Sequence, residues 1–298
     1  MNSMTHQVSD KLCTGCAACV AVCPARIFEL STPKARPVPE LTAFCISCGH
    51  CMAVCPQRAV TVPGLEYDTE LFDLPANPVD AGMLEEFLAS RRSVRSYRSE
   101  PVSRAQLKKI VEVIAMAPMG FPPQKVKLTI VDDPAQIEEL LPHLTAAYAQ
   151  LQRLARSPFG RLILRRELGS RKYRMLQEHL MPSMTHRLAG AREHGVDTFT
   201  RGAPAMILFH TDRDALVADS DPPIALTYGL LAAHSLGLGA AAIDLVAPVL
   251  NRMPAARRVA GLPDDQHVWA TMILGHPKQR YYRGVRRKLA GVTWAKTI

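Results

Sequence analysis

The sequence predicts an α+β protein in two parts, a small cysteine-bound module followed by a larger domain of helices packed around a sheet. Three observations predict it. All eight cysteines of the 298-residue chain fall between Cys13 and Cys55. A stretch containing Pro63-Gly64, Pro75 and Asn77-Pro78 follows, with few periodic apolar positions. Beyond it, helical spacing of apolar residues alternates with short apolar runs of strand length. Hydrophobic residues make up 48% and charged residues 21% of the chain, a balance that supports a packed core. No run of about 18 uncharged apolar residues predicts a membrane-spanning helix. Met1 to Lys11 is polar and lacks the apolar core of a secretory signal, so the chain reads as cytoplasmic.

The cysteines form two copies of one spacing: Cys13, Cys16, Cys19, Cys23-Pro24 and Cys45, Cys48, Cys51, Cys55-Pro56, offset by 32 residues. Cys19-Val-Ala-Val-Cys-Pro-Ala-Arg26 closely matches Cys51-Met-Ala-Val-Cys-Pro-Gln-Arg58, an internal duplication. Two-residue gaps let three thiolates on one short loop wrap a cubic iron–sulfur cluster, and the fourth cysteine of each run ligates the other cluster. The expected ligand sets are therefore Cys13, Cys16, Cys19 and Cys55 for one 4Fe–4S cluster, and Cys45, Cys48, Cys51 and Cys23 for the second. Val20, Val22, Ile27, Phe28, Val54 and Val60 are expected to pack around the sulfurs. Zinc sites favour paired cysteines at tetrahedral spacing, and disulfides need an oxidising compartment for which no signal is present. The module, residues 1–66, resembles bacterial two-cluster ferredoxins.

Residues 67–82 read as a linker, and 83–298 as the second domain. Helical spacing starts at Met83-Leu84 and Phe87-Leu88 and runs into Arg91-Arg-Ser-Val-Arg-Ser-Tyr97. A second helix follows from an N-cap at Ser103 through Leu107, Ile110, Val111 and Ile114. Pro118 to Pro123 is a loop, and Val126–Val131 a strand. Residues 135–195 read as helical, broken at Pro158 and Pro182. Ala203–His210 is a buried strand, Ile224–Leu238 an apolar helix, and Ala240–Leu245 and Val268–Leu274 the remaining strands. Gly237-Leu-Gly-Ala-Ala-Ala242 matches a dinucleotide-binding pattern, but a helix precedes it and a strand follows, the reverse of what that pattern requires.

Charge is uneven. Residues 1–66 hold five Lys/Arg and four Asp/Glu, a net of +1, and the remainder supplies +8 of the +9 total. This excess suits a phosphorylated cofactor or an acidic redox partner; no nucleic-acid motif accompanies it. Eight basic residues between Arg153 and Arg174 face one acid, Glu167, which gives a solvated helical face, a lid, or a docking surface for an acidic electron donor. Tyr148, Tyr173, His179 and His186 lie in the same helical stretch.

Arg91-Arg-Ser-Val-Arg95, Ala117-Pro118, Leu236-Gly-Leu-Gly239 and Leu274-Gly-His-Pro277, followed by a basic C-terminal run, together resemble the FMN-dependent nitroreductases across residues 83–298, with a helical insert at about 140–195. The resemblance implies a central, mostly antiparallel sheet surrounded by helices. It implies FMN, with phosphate held by Arg91, Arg92, Ser93, Arg95 and the C-terminal Arg286, Arg287 and Lys288. Guanidinium forks suit a phosphate dianion. Many members carry an asparagine where this chain has Pro122, so ring contacts are expected from the backbone of Met119, Gly120 and Phe121 or from Gln124, and from Ile243 and Asp244. The implied activity passes electrons from the clusters through FMN to a nitro compound, quinone or activated alkene, supplied by a ferredoxin-type donor or NAD(P)H; a pure electron carrier is the alternative. Catalysis is left to flavin N5 rather than to a side chain. The resemblance also implies a homodimer, embraced by the tail Leu289–Ile298 with Val292 and Trp294, with neither a nucleic-acid nor a membrane partner.

Overall fold

The computed structural model describes residues 5–76, 79–120, 125–216 and 218–295. The chain forms two compact units: the first takes the residues up to Val79 together with Gly120, and the second the other described residues from Asp80 on.

In the first unit, β1 (Gln7–Val8) pairs antiparallel with β4 (Val60–Thr61), and β2 (Phe28–Ser31) forms a hairpin with β3 (Lys34–Pro37). Two short helices, α1 (Ala18–Val22) and α2 (His50–Ala53), each start from a left-handed residue, Ala17 and Gly49. The duplication is written into the backbone. Gly15 and Ser47, Ala17 and Gly49, and Arg26 and Arg58 are pairs related by the 32-residue offset, and all six have positive φ. Gly15 is required twice over, by its φ of 78° and because a Cβ there would stand 2.0 Å from the Pro33 carbonyl oxygen. Ile27, Phe28, Met52, Val60 and Val62 form the core beside Cys19 and Cys51. Val22 and Val54 depart from expectation: each is 37% exposed, on the outer side of its short helix, and Met52, Ala35 and Val62 fill the core in their place.

The second unit is built on a four-stranded, fully antiparallel sheet in the order β5 (Lys127–Val131), β6 (Ala205–Asp212), β8 (Gln266–Gly275), β7 (Gly239–Ala242). Strand β6 is buried on both faces and distributes its side chains by the two-residue period. Ala205, Ile207 and Phe209 meet α4 (Arg104–Ile114) and α8 (Asp221–Ser235), whereas Met206 and Leu208 meet α5 (Pro134–Arg156) and the helices that follow it. The Ser103 cap is a full capping box: its hydroxyl accepts from Gln106 N at 3.3 Å, and Gln106 Oε1 accepts from Ser103 N at 3.1 Å.

Several elements differ from the sequence reading in their limits. Helix α3 (Ala81–Ser90) begins two residues earlier, because the Asp80 carboxylate caps Met83 N at 2.8 Å. It ends before Arg91, whose ψ of 135° is extended, so Arg91 to Tyr97 lies outside the helix. The helical insert starts at Pro134 and runs through α5, α6 (Pro158–Met175), a π-helical turn (Leu176–Leu180) and α7 (Met181–His194). Pro158 opens a new helix, as expected. Pro182 does not end the helix: it follows directly on the π-helical turn Leu176–Leu180, and Leu180 and Met181 before it keep right-handed helical backbone into α7. Instead Gly169, with φ 71° and ψ 162°, interrupts α6. Helix α8 starts earlier, at Asp221, and ends at Ser235, and β7 stops at Ala242.

The strip from Ser93 to Lys278 closes this unit. Val94 N donates to Ala240 O at 3.1 Å, Arg98 N to His276 O at 2.9 Å, and Lys278 N to Ser96 O at 3.0 Å. Close approach demands Gly239: a Cβ there would lie 2.6 Å from Val94 Cγ1. Gly239→Ala is expected to destabilise the unit by about 1–3 kcal/mol through overpacking against Val94, read as a lower urea midpoint.

Candidate cluster and flavin sites

The fold sorts the cysteines into two cavities. Cys13, Cys16, Cys19 and Cys55 line one; Cys23, Cys45, Cys48 and Cys51 line the other. Each cavity thus draws three thiols from one run and the fourth from the other. Burial pushes the Cys51 thiol up to about 12, with Cys23, Cys45 and Cys48 adding to it. Burial also raises Cys19, with smaller contributions from Cys55 and Cys13. Backbone N–H groups point at the sulfurs: Ile27 N to Cys23 Sγ at 3.3 Å, Ala59 N to Cys55 Sγ at 3.3 Å, Ser47 N to Cys45 Sγ at 3.4 Å. Ile27 and Ala59 are again an offset-related pair. Among the described residues, no three His, Cys, Asp or Glu side chains converge on a point able to hold a single metal ion. Thiols arrayed around a cavity fit a cluster, whereas zinc needs four sulfurs each about 2.3 Å from one centre.

In the second unit, Arg91, Arg92 and Arg287 come together. Burial disfavours the Arg91 charge, and Arg92 and Arg287 disfavour it further. Gly284 brings the C-terminal segment against Arg92, where a Cβ would stand 2.8 Å from Nη2. Among the described residues none of the three forms an ion pair. Arg92 Nε is buried without a hydrogen-bond partner. Three converging cations with an orphaned donor fit an anion such as a phosphate. His234 of α8 stands beside them. Burial, then Arg91 and Arg92, hold its pKa below the usual range, and its ring meets Ser90 Oγ at 2.7 Å. Arg286 and Lys288 are exposed.

The remaining expected residues are placed as follows. Ser93 bridges to Ala240. Met119 packs on the α4–α8 face, and Gly120 is exposed. Phe121, Pro122, Pro123 and Gln124 lie outside the described residues. Ile243 continues past β7 with one more bond, its N to Thr271 O at 2.9 Å, and Asp244 is exposed. Tyr173 is half-buried, and His179 and His186 are exposed. The eight basic residues from Arg153 to Arg174 are all exposed.

Arg95, expected with the phosphate residues, is exposed and donates from Nη1 to Ser93 O at 3.2 Å; sequence reasoning missed Arg187, whose charge burial and then Arg201 and Arg95 disfavour. Arg187, on α7, donates from Nη1 to Thr198 O. Arg201 sits at φ 63° in a loop organised by Asp197. The Asp197 carboxylate accepts from Phe199 N at 2.9 Å, Thr200 N at 2.8 Å, Gly202 N at 2.7 Å and the Thr200 hydroxyl. Phe199 stacks on Tyr148, ring centroids 5.6 Å apart, and Tyr148 Oη donates to Leu245 O at 2.9 Å. Burial pushes Tyr148 up to about 12, opposed by Arg252 and Arg187 and assisted by Asp244. The only sequence signal was the tyrosine itself, since the arginines lie far apart along the chain.

The fold and these sites are those of an oxidoreductase with an iron–sulfur head. The chain belongs to the nitroreductase family, whose model matches residues 88–276, and carries a 4Fe-4S dicluster domain over residues 12–60. It is 27% identical over 203 residues to a protein named NADH dehydrogenase from Thermus thermophilus, covering 68% of this chain and 90% of that one. A nitroreductase from Bacteroides fragilis, solved with bound FMN, superposes with a TM-score of 0.54 at 21% identity, over 72% of this chain and 98% of that one. One from Desulfitobacterium hafniense, also with bound FMN, gives a TM-score of 0.51 at 20% identity, over 71% of this chain and 97% of that one. Among the described residues no helix is long and apolar enough to cross a membrane.

Removing the Asp197 carboxylate frees three backbone N–H groups and leaves Arg201 strained. Asp197→Ala is expected to destabilise the unit by about 2–3 kcal/mol, measured as a shift in urea midpoint.

Proposed function

We propose that this chain takes single electrons into two 4Fe–4S clusters, stores them in pairs on FMN, and passes them to a small organic acceptor such as a nitro compound, quinone or activated alkene. One observation carries the reading: a dicluster domain and a nitroreductase domain lie on one chain. Tethering makes transfer between them intramolecular, at high effective concentration. Cys13, Cys16, Cys19 and Cys55 hold one cluster; Cys23, Cys45, Cys48 and Cys51 hold the other. Arg91, Arg92 and Arg287 hold the FMN phosphate, with Ser93 beside them. When bound, FMN supplies the conversion between one- and two-electron chemistry and delivers the pair through N5. The protein's part is to bind, orient and screen; no side chain needs to act as nucleophile, and all eight cysteines are committed to iron.

The working form is a homodimer in the cytoplasm. Helix α3 has no buried residue, and its Met83, Leu84 and Leu88 are exposed. The C-terminal segment exposes Tyr282, Leu289, Val292 and Trp294, a set too apolar for solvent alone and matched to a second copy.

Anaerobically prepared protein is expected to contain about eight irons and eight sulfides per chain, together with one FMN. Arg91→Ala with Ser93→Ala should weaken FMN binding by about 2 kcal/mol, roughly 30-fold in Kd, with iron content unchanged. Undiminished FMN affinity would place the phosphate elsewhere.

The direction of flow is from clusters to FMN, because cluster potentials lie far below zero in ferredoxin-like surroundings. In anaerobic stopped-flow, reduced ferredoxin should bleach the flavin at least about tenfold more slowly in Cys16→Ser or Cys48→Ser than in wild type, with dithionite still reducing both. Equal rates with ferredoxin would show that the clusters are not the entry route. A protein holding clusters and FMN that turns over no acceptor would favour the pure electron carrier.

A further inference from the structure

Helix α6 presents apolar residues to the outside. It meets the rest of the unit along one narrow stripe, where Gly160 is buried and Leu164 packs on the core that includes Ala155 of α5. A Cβ on Gly160 would overlap the Leu154 carbonyl oxygen, so this approach needs glycine. Ser157 fixes the angle of entry: its hydroxyl accepts from Gly160 N at 3.0 Å and donates to Leu154 O at 3.1 Å. Successive residues turn by about 100° around a helix, so with that stripe inward Phe159, Leu162, Ile163 and Arg166 share the opposite face. Phe159 is 73% exposed, Leu162 66% and Ile163 37%. Single exposed apolar residues are ordinary, but an adjoining set on one face marks a site of interaction.

Cations flank and extend this face. Arg161 and Arg165 lie along one side of it, and Arg171, Lys172 and Arg174 follow the interruption at Gly169, all exposed. The sequence has no acid between Glu139 and Glu167, and none from there to Glu178. Among the described residues none of the basic residues from Arg153 to Arg174 forms an ion pair. Arg161 is tied back to α5, its Nε donating to Ala155 O at 3.3 Å; Arg165 and Arg166 stand in solvent. A face kept for water has no use for the phenyl ring, and a purely electrostatic partner has use only for the cations. An anionic bilayer takes both at once, with acyl chains beneath its phosphate headgroups. Arginine suits the boundary, because its stem lies along apolar surface while its head stays with the phosphates.

We infer that α6 lies flat on a membrane surface rich in anionic lipid, with Phe159, Leu162 and Ile163 entering the headgroup boundary and Arg165 and Arg166 pairing with lipid phosphates. Length is no obstacle, because an interfacial helix does not need to span. Charge supplies the attraction and the apolar side chains the retention. A protein working in the cytoplasm meets such a surface on the inner leaflet, which carries the anionic lipid. The resemblance implied no membrane partner; this helix, which belongs to the insert, assigns one to the present chain. The inference goes beyond the proposed function and depends on neither clusters nor flavin.

The test floats full-length, cofactor-loaded protein with vesicles of phosphatidylcholine alone and of phosphatidylcholine mixed equally with phosphatidylglycerol. Association with the anionic vesicles is expected to be at least about tenfold tighter and to weaken as salt is raised. Arg165→Gln with Arg166→Gln should remove most of that preference. Phe159→Ala with Leu162→Ala, which leaves the charge untouched, should weaken binding to anionic vesicles at least about tenfold through lost apolar burial. All four side chains are exposed, so neither variant disturbs the core, and an unchanged urea midpoint checks this. Equal association with both kinds of vesicle, or association with neither, overturns the inference. So does a Phe159→Ala, Leu162→Ala variant that binds anionic vesicles as tightly as wild type, since the contact is then charge alone. If that variant instead turns a native dimer into a monomer, the face joins two copies of the chain and the inference is wrong. If vesicles do not bind and Arg165→Gln with Arg166→Gln weakens the complex with reduced ferredoxin, the occupant is an acidic protein and the inference is wrong. Flotation is read without turnover, so failure here leaves the proposed function standing, and protein that lacks FMN leaves this test intact.

Discussion

The converging cations of the second unit depend on one strip of backbone, Arg91 to Arg98, lying against the ends of β7 and β8. Its bonds to Ala240 and His276 are ordinary in strength, but they lean on Gly239, which leaves room for Val94, and on Gly275, which leaves room for Pro204 and Tyr97. That contact turns three guanidiniums in five residues toward different neighbours. Arg92 lies against the returning C-terminal segment at Gly284, Arg287 disfavours the charge of Arg91, and Arg95 disfavours that of Arg187 from the helical insert. Sheet packing and electrostatics are therefore not separable here. The hydrophobic sheet supplies the rigidity that keeps mutually repelling cations from drifting apart.

The two units solve opposite electrostatic problems. In the first, burial holds the thiols against ionisation, as the raised Cys51 shows, and bound metal makes thiolates favourable there. In the second, permanently charged guanidiniums sit partly desolvated with no acid beside them. Each unit is thus incomplete as protein alone, one lacking cations and the other anions. Much of the +8 excess of residues 67–298 lies elsewhere, and the basic residues of α6 are exposed to solvent.

Legibility in the sequence followed the range of the interactions. The grouping of the cysteines was readable because three of each set lie within seven residues, and the crossed fourth follows from loop reach. The Ser103 capping box and the β6 strand were readable for the same reason: capping and two-residue alternation are local. The grouping of Arg91 and Arg92 with Arg287 was suggested only through resemblance, since Arg287 is far from Arg91 in the chain. Arg187 and Arg201 left no pattern at all. One is on a helix, the other in a loop whose conformation is set by an aspartate four residues earlier, and only tertiary packing brings them to Arg95. Val22 and Val54 misled because apolar character says nothing about which side of a one-turn helix faces inward.

The reciprocal arrangement of glycine in the duplicated loops has a consequence for how this chain tolerates change. At the first of two left-handed positions one copy has Gly15 and the other Ser47; at the second, one has Ala17 and the other Gly49. At these two positions each copy carries one glycine and one non-glycine residue, the latter in a conformation that costs about 1–2 kcal/mol; a third left-handed position is arginine in both, Arg26 and Arg58. The halves have kept the same curve of backbone while dividing its strain between them. Gly15, hemmed in by Pro33, is closed to mutational drift, but Ser47 shows that the equivalent turn accepts a side chain where the hairpin does not crowd it. Symmetry of shape has outlasted symmetry of sequence, and the two cluster loops are no longer equivalent places for a mutation to fall.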